Sequence, residues 1–291
     1  VTVKYIFLNL KRFDIGAERG GVNSLAPAPE WGPFVARAIR SGLSRRAERL
    51  SDYAFAAFFP EAHLLGAAQA LAGAEPGAPA LELGCQGVHY EDTAPGGNFG
   101  AFTGQRTANA ARELGCGWAL VGHSEERRAK LALMEAAGAS REASIAALDA
   151  FLNREVRCAL AAGLKVLFCV GETADERPEA ERVLRRQVER GLADLVPISV
   201  VLAYEPVWAI GPGKTPPGAD EIARTASLLR TISPCPLVYG GGLKKENAEA
   251  VGAIRELDGG LIALTRFSGA VGFYPDEYAE IVELYAKGAN S

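Results

Sequence analysis

The chain has no apolar run near the roughly 20 residues that a membrane-spanning helix needs, which excludes a helical span. It also lacks a basic surplus. Its 31 Lys and Arg stand against 35 Asp and Glu, a net charge of −4, and its arginines mostly alternate with Glu on helical faces. No positive field is left for nucleic acid. The five cysteines (Cys85, Cys116, Cys158, Cys169, Cys235) form no Cys-x-x-Cys pair and have no histidine cluster beside them, so the pattern of a zinc site is missing. Cys169, inside an apolar run, is expected to pack as a small apolar residue. The opening Val1–Phe7 is too short for the apolar core of a signal peptide, and a cytoplasmic location is the expectation.

Much Ala, 33 Gly, 48% apolar residues and only 8% aromatics suit a parallel sheet coated by helices and joined by tight turns. Short apolar runs recur at Val3–Asn9, Tyr53–Phe59, Ala80–Gly84, Gly117–Gly122, Leu164–Val170, Ile198–Tyr204, Leu237–Gly240 and Gly260–Leu264. Helix-period stretches such as Pro178–Val188 and Ala219–Ala226 lie between them, begun by Pro, Ser or Asp and often stopped by Gly. Strands that alternate with helices pair in parallel. Eight such units across 291 residues, with no break in composition, predict one domain, a closed (β/α)8 barrel over residues 1–291. A doubly wound open sheet is the other arrangement this pattern allows. In a barrel the active site lies at the carboxyl ends of the strands.

One segment carries the most chemistry. The strand Ile198–Ala203 delivers Glu205 into a loop in which Pro206 fixes φ, Val207–Ile210 forms an apolar tip, and Gly211 and Gly213 supply a far hinge. That is a carboxylate base beneath a lid. Two further motifs end predicted strands: Asn9-Leu10-Lys11 and Gly122-His123-Ser124-Glu125. In this order the three motifs resemble those of the triosephosphate isomerase family, and the resemblance runs over most of the chain.

The resemblance implies an aldose–ketose isomerase that works through an enediol without metal or cofactor, on a small phosphorylated sugar, as a homodimer. Moving a carbonyl between adjacent carbons needs a base for the C–H proton and fixed donors for the developing oxyanion. By resemblance Glu205 is the base, His123 a neutral donor, Lys11 and Asn9 the cation and amide at the oxyanion, and Glu125 the ion-pair partner of Lys11. The residues themselves fit: His123 precedes a helix whose N-terminus disfavours imidazolium.

Several positions depart from the family pattern. Glu126 stands where the family has an arginine, with Arg127 and Arg128 following, and no arginine is assigned there. The family grips phosphate with backbone N–H groups of the lid and of the loops after strands 7 and 8, which here implies Gly211, Gly241, Gly242 and Leu264 beside Lys11. Gly242 replaces a serine, and Ala263-Leu264 replace a glycine pair. Arg266 either supplies the lost positive potential or is a structural arginine paired with Asp258. Tyr239 matches the family tyrosine that latches the closed lid, while Gly87 replaces an asparagine in the strand 3 loop.

Three stretches enlarge the catalytic rim: a flap over Asp14–Pro29, a Gly-rich excursion over Val88–Phe102, and a helical insert around Ala129–Asp149 that reads as a solvated helix pair. Asn23 in the flap is placed to meet a substrate hydroxyl. Three readings follow: a triose phosphate isomerase, an isomerase of a four-carbon tetrulose phosphate, and a non-catalytic sugar-phosphate binder. The last should lack the base or the electrophile, and both are present.

Overall fold

The computed structural model describes residues 3–73, 79–211 and 213–291. Its eight strands are β1 (Lys4–Asn9), β2 (Tyr53–Phe59), β3 (Leu81–Cys85), β4 (Trp118–Val121), β5 (Lys165–Val170), β6 (Val200–Tyr204), β7 (Leu237–Tyr239) and β8 (Gly259–Ile262). All pair in parallel in sequence order, and β1 pairs with β8 in the register Tyr5↔Gly259 to Leu8↔Ile262. That closure makes a barrel and excludes the open sheet.

The two-residue period of a strand sorts side chains between two cores. Phe7, Phe58, Trp118, Leu120, Leu167, Cys169, Val201 and Leu261 fill the barrel interior. Their neighbours Ile6, Leu8, Phe55, Phe59, Val166 and Phe168 face outward under the helices. Cys169 is buried, as a small apolar residue would be; burial, with the Glu205 carboxylate next, pushes its thiol well above the usual range. Phe7 meets Trp118 edge-on at 4.9 Å between ring centroids, and Phe58 fills the space left by Gly84.

Among the described residues the helices are α1 (Ala28–Ser44), α2 (Leu64–Leu71), α3 (Ala108–Glu113), α4 (Ser124–Ala136), α5 (Arg141–Ala161), α6 (Ala180–Gly191), α7 (Ala219–Ile232), α8 (Lys245–Gly252) and α9 (Pro275–Ala289). Side-chain caps begin three of them: Thr107 accepts from Ala110 N–H, His123 from Glu125 N–H and Ser140 from Ala143 N–H. α6 buries Val183, Leu184, Gln187 and Val188 at helical spacing and leaves its Arg/Glu face wet.

The insert after strand 4 is a helix pair whose residues 129–143 are all exposed or half-buried. It lengthens α4 and α5 themselves, and α5 buries Ser144, Leu148 and Asp149 against the barrel wall. The flap after β1 is tied down as well. Asp14 is buried, 3.2 Å from His63 Nε2 and 2.8 Å from the Arg12 guanidinium. Asn23 spends its amide inside the flap, donating to the carbonyls of Asp14 and Ala26 and accepting from Leu25 N–H. It is not presented to a substrate, which corrects the expectation for this residue. The reason is local: a turn without regular structure must satisfy its backbone groups, and Asn does so at short range.

A Cβ added at Gly84 would sit 2.4 Å from Phe58 Cδ1. Gly84→Ala is therefore expected to cost about 1–3 kcal/mol through overpacking, read as a lower urea midpoint at unchanged m-value.

Candidate active site

The carboxyl ends of β1, β4 and β6 bring Asn9, His123 and Glu205 to one cavity of about 670 Å³, which Lys11, Glu125, Gly211, Gly242 and Leu264 also line. Glu205 is 3% exposed, and two glycines make room for it. A Cβ at Gly171 would lie 1.7 Å from the Glu205 carbonyl oxygen, and one at Gly240 would lie 3.2 Å from Glu205 Cγ. The carboxylate accepts from Ser124 N–H at 3.1 Å through Oε2, and its Oε1 is 3.2 Å from His123 Nε2.

His123 is the N-cap of α4, and its Nδ1 accepts from Glu125 N–H at 3.3 Å. An imidazole that accepts at Nδ1 carries its proton on Nε2, the nitrogen facing Glu205. Lys11 has φ 43°, a left-handed conformation uncommon outside glycine, so its position at the rim is held by its surroundings. Its backbone N–H donates to Asn9 Oδ1 at 3.0 Å, and its ammonium pairs with Glu125 at 2.9 Å. Burial alone would raise the Glu125 carboxyl, but the charge and hydrogen bond of Lys11, with smaller contributions from His123 and Arg128, together hold the group below its ordinary value.

Asn9 is 1% exposed with Oδ1 doubly engaged, by Lys11 N–H and by Gln86 Nε2 at 2.9 Å. Its Nδ2 is buried without a partner, a donor held in reserve. Gln86, also bonded to Phe58 O at 2.8 Å, decides which way the Asn9 amide faces. This role was invisible in the chain, where Gln86 reads only as the start of the strand 3 excursion.

The lid begins with a 3-10 turn, Val207–Ala209, and reaches left-handed glycines at Gly211 and Gly213. Trp208 Nε1 donates to Glu172 at 2.8 Å, Tyr204 hydroxyl to the same oxygen at 3.1 Å, and Arg177 covers the indole at 3.9 Å. Burial pushes the Glu172 carboxyl up, and the bonds from Trp208 and Tyr204 partly offset this. Glu172 thus anchors the lid. Its signal in the chain was only a carboxylate just past a strand end.

Other predicted residues fall elsewhere. Tyr239 donates its hydroxyl to Gly241 O at 2.6 Å, within its own loop rather than to the lid. Arg266 turns away from the cavity: its guanidinium binds Glu277 of α9 at 3.1 and 2.5 Å and lies 4.0 Å over the Tyr274 ring. The Asp258 partner considered for it pairs with Arg230 instead. Thr265 and Arg266 both donate their N–H groups to Gly272 O at 3.1 Å, closing this loop on itself. The arginine left unassigned near His123 is Arg127, buried and donating to the carbonyls of Gly122 and Cys169; Glu126 instead accepts from Gly122 N–H.

The family profile described as triosephosphate isomerase matches residues 36–283. The chain belongs to the triosephosphate isomerase family. A triosephosphate isomerase of Synechococcus sp. (strain RCC307) is 36% identical over 218 residues, covering 73% of each chain. One from Prochlorococcus marinus (strain MIT 9313) is 38% identical over 210 residues, 70% of this chain and 75% of its own length. The crystal structure of triosephosphate isomerase from Bartonella henselae superposes with a TM-score of 0.69 at 26% identity, covering 97% of this chain and 98% of that one. The protein is accordingly an aldose–ketose isomerase. A neutral histidine at a helix N-terminus is already the standard account for triosephosphate isomerases, and the His123 bonding agrees with it. Among the described residues no cluster of three His, Cys, Asp or Glu could hold a metal.

Gln86→Ala is expected to lower kcat/KM about tenfold, or about 1.4 kcal/mol of transition-state stabilisation, by freeing the Asn9 amide. In an Asn9→Ala background the same change should cost much less. A full additive loss in that double-mutant cycle would mean that Gln86 acts independently of Asn9.

Proposed function

We propose that this isomerase interconverts glyceraldehyde 3-phosphate and dihydroxyacetone phosphate. The observation that carries the reading is the pairing of Glu205 with His123 Nε2 at 3.2 Å beside the free Asn9 amide and the Lys11 ammonium, at one end of a cavity that continues to Gly211, Gly242 and Leu264. Glu205 leaves Ser124 N–H and removes the proton from the carbon beside the carbonyl. The His123 N–H, Lys11 and Asn9 take up the negative charge that grows on the oxygens, and Glu205 returns the proton to the neighbouring carbon. The lid tip excludes water while the enediol exists. Phosphate lies against backbone N–H groups near Gly211, Gly241, Gly242 and Leu264. Residues 1–291 act as one catalytic unit, since the β1–β8 seam unites the two ends of the barrel.

A second reading, a four-carbon ketose phosphate, draws on the size of the cavity. Beyond the catalytic groups it runs past Leu131 of α4 to Ile145 of the lengthened α5, more room than three carbons and a phosphate require. Proton–deuterium exchange in D₂O over a panel of three- to five-carbon ketose phosphates separates the two. Fastest exchange into dihydroxyacetone phosphate supports the first, and preference for a tetrulose phosphate overturns it. Glu205→Gln should remove exchange by about 10²–10⁴-fold while substrate still binds.

The working form is a homodimer bridged by the excursion over residues 88–104. Its tip presents Phe99, 91% exposed with φ 54°, an apolar ring that water does not favour. Phe99→Asp is expected to shift sedimentation toward monomer at micromolar concentration. Wild-type protein that sediments as an active monomer would refute the dimer.

A further inference from the structure

The Gly242 end of the cavity carries a lysine, Lys244, that the motifs did not single out. The family grips phosphate through close backbone approach, yet the loop after β8 carries Ala263-Leu264 and has closed Thr265 and Arg266 N–H onto Gly272 O. Arg266, the obvious substitute, is bound to Glu277. Lys11 is bound to Glu125 and Arg127 to backbone carbonyls. Of the cations without a close carboxylate, Lys214 stands beside Gly213 in the lid and Arg128 on α4, whereas Lys244 stands in the same turn as Gly242. It lines the cavity with Gly242, Leu264 and Phe267, and its nearest carboxylate is Glu246, 4.0 Å away and 74% exposed. An ion pair of that length and exposure holds a lysine weakly.

The surroundings of Lys244 are ordered. Asn247 accepts from Lys244 N–H at 2.9 Å and donates to Gly242 O at 3.1 Å, so one side chain locks the turn that carries both Gly242 and Lys244. The ammonium lies 5.8 Å from the centroid of Phe267, which belongs to the loop after β8. The altered loop therefore offers an aromatic rest for a cation.

We propose that Lys244 is a phosphate-binding residue of this enzyme: its ammonium, rested on Phe267, binds the substrate phosphoryl group and replaces backbone contacts weakened by the loss of the glycine pair. The proposal rests on the isomerase reading for the identity of the phosphorylated substrate, but its chemistry requires only a phosphate dianion beside Gly242. A lysine is suited to this as a point charge on a flexible stem. It also makes binding depend on ionic strength more than a purely backbone grip would.

The test measures inorganic phosphate binding by titration calorimetry and KM for dihydroxyacetone phosphate, on the full-length wild type, Lys244→Met and Lys244→Arg, with Lys244→Gln carried in parallel should the methionine variant not fold. Removal of the charge is expected to weaken phosphate about tenfold and to raise KM by a similar factor, with the loss in KM rather than kcat. Lys244→Arg should restore most of both, and salt should weaken the wild type more steeply than the neutral variants. Phosphate affinity and KM within twofold of wild type in a folded neutral variant would overturn the assignment, as would a wild type that binds no phosphate. Phosphate binding that depends on Lys244 in a protein that enolises no sugar phosphate would sustain this site and sink the isomerase reading.

Discussion

The seam between β1 and β8 is the constraint on which the site depends. Tyr5 N–H donates to Asp258 O at 2.7 Å, and a Cβ at Gly259 would stand 1.7 Å from Tyr5 O, so the last strand lies against the first only because position 259 has no side chain. Closing the ring turns eight separate strand ends into one rim. Along that rim Ser124 N–H bonds to Glu205 across 81 residues of sequence, and Asn9 meets Gln86 from two strands away. In a sheet left open at this seam, the Asn9 and Lys11 end would lie at an edge, away from the His123 and Glu205 ends.

Around that rim, chemistry and packing compete for the same space, and glycine settles the contest. Gly171 and Gly240 lie so close to Glu205 that methyl groups there would crowd its backbone or side chain. Glu205 is buried, yet its oxygens have partners in Ser124 N–H and His123, so its polar atoms do not go unpaired. The lid is anchored by the same logic. Glu172 is buried and accepts from Trp208 and Tyr204, so the resting lid is fastened by bonds that must be exchanged when it moves.

The three enlarged stretches have different fates, set by what each can bury. The flap after β1 finds a buried anchor in the Asp14–His63 contact. The α4–α5 insert leaves residues 129–143 toward the surface and turns inward at Leu148 and at Asp149, which pairs with Arg186 of α6 at 3.1 Å. The strand 3 excursion is held at its base, where Tyr90 packs on Phe151 and Asp92 accepts from Asn109 N–H, but its tip leaves Phe99 in water. Apolar surface left over after folding points to association with another surface.

Much of this was legible in the chain. The eight apolar runs fell on the eight strands, because a strand buried on both faces must be apolar nearly throughout, and the three motifs fell at strand ends. Limits shifted by a residue or more: Ile198 and Ser199 precede β6, and Ile198 is 88% exposed. Arg266 and Asn23 were misplaced as substrate contacts, and Gln86, Glu172, Arg127 and Lys244 went unassigned. Strand periodicity and motif order are local properties, set by covalent geometry and by which residues avoid water, so the sequence alone determined the architecture and the identity of Asn9, Lys11, His123 and Glu205. Partner choice is different. Whether Arg266 meets phosphate or Glu277, and which way the Asn9 amide turns, depends on groups that only the closed barrel brings within hydrogen-bonding distance, and that was decided by the tertiary structure.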